Sequence, residues 1–121
     1  MTLKELYELI EGDYDQATKV LRMDKLIDKH IRRLPTNTIF ADIIEVGKTM
    51  DSEKLFESAH AIKGVCANLG LVKLSSAASE IAEEFRPGNE RNMTDEEVAQ
   101  KIDEIEELYN KSVEGISQYA E

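Results

Sequence analysis

His60, Lys63 and Gly64 are the residues of this chain from which chemistry could be built. They lie in the run Phe56-Glu57-Ser58-Ala59-His60-Ala61-Ile62-Lys63-Gly64-Val65-Cys66-Ala67-Asn68-Leu69-Gly70. At about 100° per residue, Leu55, Ala59, Ile62, Cys66 and Leu69 fall on one stripe, the spacing of a core-facing helix. His60 lies roughly 140° from the centre of that stripe, with Lys63 and Gly64 one turn further on and Ala67 two turns on. The helix is therefore expected to present an exposed imidazole, a cation beside it and almost no side-chain bulk above it. A solvent-facing imidazole offers a nitrogen nucleophile near neutral pH, and an ammonium one turn away can balance a charge placed on it.

Gly64 sharpens this reading. A glycine in a helix interior costs about 1 kcal/mol relative to alanine, and Gly64 is too far from the helix end to act as a cap. Missing side-chain volume must serve something there, and the simplest candidates are room for a group on His60 or for a partner reaching it.

The pattern His60-x-x-Lys63-Gly64 followed by Gly70 closely resembles the signature of histidine phosphotransfer (HPt) domains of two-component phosphorelays. The specific likeness runs from Leu55 to Phe85 and is architectural elsewhere. The resemblance implies that His60 carries a phosphoryl group, that Lys63 stabilises it and that Gly64 leaves space for it. It also implies a response-regulator receiver domain and a sensor or hybrid histidine kinase as partners. The receiver would supply Mg²⁺ and most of the active-site groups, and this chain would need no cofactor of its own. Phe56 and Ala67, with neighbouring residues of the N-terminal helices, are the expected docking contacts. Many members carry Glu or Gln twelve residues past the glycine that matches Gly70, where it can hydrogen-bond the imidazole. Here that position is Ala82, and Glu80 and Glu83 point along other directions of the helix.

The elements that must position these residues are all helical, because the periodic segments repeat at 3.6 residues and no β-branched alternation occurs. Thr2-x-x-Glu5 and Asp13-x-x-Gln16 predict helices near 2–11 and 14–22, with Gly12 between them. A third runs from Asp24 to Leu34, where Pro35 stops or kinks it. Thr36 or Asn37 caps a fourth that reaches Met50, and Asp51-Ser52 caps the His60 helix, which ends at Gly70. Leu74, Ala78, Ile81 and Phe85 form the stripe of the next helix. The longest loop, Arg86 to Met93, closes on the capping box Thr94-x-x-Glu97. The last helix carries Val98, Ile102, Ile105, Tyr109 and Ile116 on one face. Short connections near 51 and 70 and a longer one near 90 predict an up-down-up-down four-helix bundle with additional N-terminal helices. One domain spanning residues 1–121 is expected, although a segment cut from a larger kinase would read the same way.

Twenty-five acidic against fifteen basic residues give a formal charge of −10, which opposes nucleic acid and anionic membrane as partners. No apolar run approaches the ~18 residues of a membrane span, and the N-terminus lacks a signal-peptide pattern, so a cytoplasmic protein is expected. A monomer is expected as well. Cys66 sits on the core stripe and reads as packing. Glu57-x-x-His60 matches a di-iron half-motif, but a second copy is missing, so no metal is expected. His30, in Lys29-His30-Ile31-Arg32-Arg33, reads as part of a charged helical face. No phosphate-cradling glycine loop, His-Glu-x-x-His pair or Gly-x-Ser-x-Gly elbow is present, so neither ATP binding nor independent kinase activity is expected. The alternative to a phosphocarrier is a helical adaptor that docks a receiver or kinase without passing phosphate.

Overall fold

The predicted start signals at Thr2, Asp13, Asp51 and Thr94 each close their first turn with a side-chain cap. The computed structural model describes residues 1–120. Thr2 and Glu5 exchange capping-box hydrogen bonds at the head of α1, Leu3–Leu9. Asp13 accepts from the Gln16 amide to open α2, Tyr14–Leu21. Asp51 does the same for Lys54 at the start of α5, Ser52–Asn68. Between them lie α3, Asp24–Arg33, and α4, Ile39–Gly47. Then come α6, Val72–Glu84, and α7, Asp95–Ala120, whose capping box is Thr94 with Glu97. Such caps are worth about 1 kcal/mol each and fix where α1, α2, α5 and α7 begin, whereas the N-caps of α3, α4 and α6 make no side-chain cap bond.

The helices α4 to α7 form the bundle, α5 packing between α4 and α6, and α7 closing the ring against α6 and α4. Along α5 the stripe Leu55, Ala59, Ile62 and Cys66 is fully buried, and Leu74, Ala78 and Ile81 of α6, with Phe85 at its C-cap, are buried in the same core. On α7, Val98, Ile102, Ile105 and Ile116 are buried as expected, but the stripe also includes Ser112 and Gly115. The Ser112 hydroxyl is satisfied by the Leu108 carbonyl. Tyr109 is half-buried, stacked on Phe40 at 4.1 Å and donating to the Leu34 and Pro35 carbonyls. Burial pushes the Cys66 thiol up to about 12, which suits packing rather than reactivity.

Helices α3 and α4 differ from expectation at their ends. Helix α3 ends at Arg33 and continues as a 3₁₀ turn, Leu34–Thr36, because Pro35 has no amide to donate and the chain closes instead through Asn37 N–H to the Leu34 carbonyl. Helix α4 is shorter at both ends than the expected span to Met50. The N-cap is Thr38, whose side chain makes no cap bond, rather than Thr36 or Asn37; the Asn37 side chain accepts from the Ile39 amide at 3.1 Å just before the helix. At the far end the chain tightens into i→i+3 bonds, Lys48 to Glu45 and Thr49 to Val46, and Met50 takes a positive φ.

The α5–α6 hairpin turns on Gly70. Its φ of +68° places it in the left-handed region, with Leu71 N–H bonded to the Cys66 carbonyl and Gly70 N–H to the Ala67 carbonyl. This is a Schellman ending, as the sequence predicts for that glycine. A side chain at Gly70 would also collide with the Asp13 carbonyl, and Asp13 N–H donates to the Gly70 carbonyl at 2.7 Å. Tyr7 donates to the Leu69 carbonyl at 2.6 Å. The N-terminal helices are thereby fixed over the end of the helix that carries His60.

A buried carboxylate, Glu84, holds the loop after α6. It accepts from the Asn92 and Met93 amides and pairs with Arg91. Burial works against its ionisation, but the two amides and the guanidinium together hold its carboxyl below the usual range. Glu84→Gln is expected to cost about 1–3 kcal/mol near pH 7. A carboxyl depressed in the fold contributes fully above its unfolded value of about 4.3 and loses that contribution as pH falls through its folded value. Denaturant melts of both proteins from pH 7 to pH 3 should therefore show the difference shrinking in acid.

Candidate functional site

Helix α5 carries its polar face outward. His60 and Gly64 are exposed, Lys63 and Ala67 are half-buried, and the ring of Phe56 is half-buried one turn before His60. Five residues of the predicted constellation are thus brought together on one surface. Lys63 forms no ion pair among the described residues and lies three residues, about one turn, beyond His60 on α5. Glu57 and His60 both face solvent, which does not fit a ligand pair turned into the bundle.

Gly64 differs from the other glycines in the helices. A Cβ at Gly47 would meet Ile102 Cδ1 at 2.6 Å, and one at Gly115 would collide with Ile10, so both are small because another helix packs there. A Cβ at Gly64 would meet nothing within 4 Å. The fold gains no packing from this glycine, while its helix bears the propensity cost.

The ring of His60 stacks on Phe56, with centroids 5.6 Å apart and planes 20° from parallel. Phe56 is covered in turn by Arg86, whose guanidinium carbon lies 5.5 Å from the ring centroid. Arg86 is held by a two-pronged pair with Glu83, Nη2 to Oε1 at 2.6 Å and Nε to Oε2 at 3.2 Å. The Arg86 hydrogen bonds, and more weakly the charge of Lys63, hold the Glu83 carboxyl below the usual range. None of the side chain to side chain hydrogen bonds among the described residues reaches the imidazole. Ala82 is fully buried in the core, Glu80 pairs with Lys101 of α7 at 2.6 Å, and Glu83 is engaged with Arg86.

Arg86 was invisible to helix periodicity because it lies beyond the end of α6. One signal could have found it: an antiparallel hairpin turning at Gly70 and Leu71 places residue 86 at the level of residue 56, as it places 82 at the level of 60. The same register sets Ser75 and Ser79 beside Lys63 and Ala67, lining an open groove next to the site. Ser75 donates to the Lys63 carbonyl at its long limit of 3.5 Å.

A family model, the Hpt domain, matches residues 26–114. The chain belongs to the Hpt domain family. The match takes in α5 and α6 whole, hence every residue of the constellation, and leaves α1 and α2 outside. Searches of curated proteins and of solved structures gave no significant match. Hpt domains are helical phosphocarrier modules of two-component systems that lack kinase activity and act with receiver domains and kinases. No helix among the described residues is long and apolar enough to cross a membrane.

Proposed function

We propose that this Hpt domain relays a phosphoryl group between receiver aspartates and His60. The observation that carries the reading is the open space at Gly64, one turn beyond an exposed imidazole on the same face of α5. A receiver docks over Phe56 and Ala67, and its aspartyl phosphate approaches His60 in line. The lone pair of Nε2, the outer tip of the ring, forms the N–P bond as the P–O bond to the aspartate breaks and the carboxylate leaves. The Nδ1 proton stays on the ring, and the reverse step returns the group to a second receiver. Lys63 lies one turn away to offset charge on the transferring phosphoryl group, and Gly64 admits the partner.

Positioning and charge neutralisation are the main requirements of such a transfer, which suits a site with few chemical groups. Mg²⁺ belongs to the receiver in this reading, and the domain works without a cofactor of its own, as a cytoplasmic monomer that binds no ATP. Its negative charge fits a protein partner better than a nucleic acid.

Incubation with a phosphorylated receiver tests this directly. Acid-labile, alkali-stable label transferred to the domain is expected. Binding without label would support instead the adaptor reading, which the apolar Ala82 at the level of His60 favours.

A further inference from the structure

We infer that Phe56 is the positioning residue for the His60 ring, and that Arg86, anchored by Glu83, holds Phe56 in place. The inference rests on the reading of His60 as phosphoacceptor. An exposed imidazole on a helix surface is free to rotate about its side-chain bonds unless something fixes its plane. Among the described residues no side-chain hydrogen bond does so, and Ala82, across the hairpin, has no polar side-chain atom to offer. The contact that remains is the stack with Phe56, four residues earlier on the same helix, in the offset geometry and separation that aromatic pairs prefer.

Phe56 itself is doubly held. Its inner side packs against the core, and Arg86 lies over its ring within the 6 Å range of a cation–π contact. The guanidinium is locked by its pair with Glu83, and Asn89 Nδ2 donates to the Glu83 carbonyl at 2.9 Å, tying the start of the loop to the end of α6. The series Glu83, Arg86, Phe56, His60 thus runs from the end of α6 to the phosphoacceptor ring. It fixes the ring plane on one side while leaving the side towards Gly64 open.

The role separates from docking by the choice of phosphodonor and by a readout on the ring itself. In the proton spectrum of the full chain, ring current from Phe56 should shift His60 Hδ2 and Hε1 upfield of the corresponding His30 signals, His30 being the only other histidine. Phe56→Leu should move the His60 signals downfield and leave those of His30 in place. Labelling by phosphoramidate, a donor too small to need the docking surface, should slow about tenfold, in line with the cost of misplacing a reacting group. Phe56→Tyr should restore both the shift and the rate. Arg86→Gln, at a partly exposed position beyond α6, should give a partial version of the same two changes.

If the His60 signals stay put in Phe56→Leu, or move while phosphoramidate labelling keeps its rate, Phe56 does not position the ring. A defect seen with a receiver but not with phosphoramidate makes Phe56 a docking residue and overturns the inference alone. Absence of label from the parent protein overturns the phosphoacceptor reading and the inference with it.

Discussion

His60→Gln is expected to abolish phosphoryl acceptance completely while leaving helicity and the melting temperature essentially unchanged. Glutamine keeps a side chain of similar reach and polarity but has no nucleophilic ring nitrogen, so the N–P bond cannot form. The fold should not register the change, because His60 is exposed, lies off the buried stripe of α5 and makes no side chain to side chain hydrogen bond among the described residues. Substitutions at such positions usually alter stability by under ~0.5 kcal/mol. The two measurements are label transfer from a phosphorylated receiver and a thermal melt followed by circular dichroism. Retained label would move the phosphoacceptor to His30, which is exposed on α3 beside a cleft it shares with Arg33 and Asn37. A marked drop in melting temperature would give His60 a packing role that its exposure does not support.

What could be read from the chain, and what could not, divides by how far apart the cooperating residues lie. His60, Lys63, Gly64, Phe56 and Ala67 belong to one helix, whose 3.6-residue period sets their faces before any tertiary contact forms. The Gly70 ending was equally legible, since one turn of backbone decides it. The early end of α4 was not, because it coincides with Gly47, where Ile102 of α7 leaves no room for a side chain. Nor was the part played by Glu84 and Arg86, whose charges look like surface charges until the loop folds back and brings the Met93 amide to one and the Phe56 ring to the other. Ser112 was missed for the opposite reason, as a polar residue that the core accepts once its hydroxyl bonds to its own helix. Local pattern places His60 and Phe56 on one face of α5, then, while Arg86 and Glu83, which hold Phe56, come from across the hairpin.

Gly64→Gln should separate clearance from folding. Glutamine is a better helix former than glycine, and the site lies inside α5 with open space where the new Cβ would stand. Stability should therefore rise by a few tenths to about 1 kcal/mol. The effect on transfer should have the opposite sign. Helical side chains lean towards the N-terminus of their helix, so one at position 64 extends back over the turn that carries His60, on the side of the ring that Phe56 does not cover. There it occupies the approach that an incoming phosphoryl group needs, and in-line geometry tolerates little displacement. The expected variant melts no lower than its parent and accepts phosphate from a receiver on the order of a hundredfold more slowly. Gly64→Ala, which adds a Cβ and no reach, should keep most of the parent rate while gaining the stability. Transfer near the parent rate in Gly64→Gln would show that clearance is not why α5 carries a glycine there, and would remove the main physical support for docking over an open imidazole.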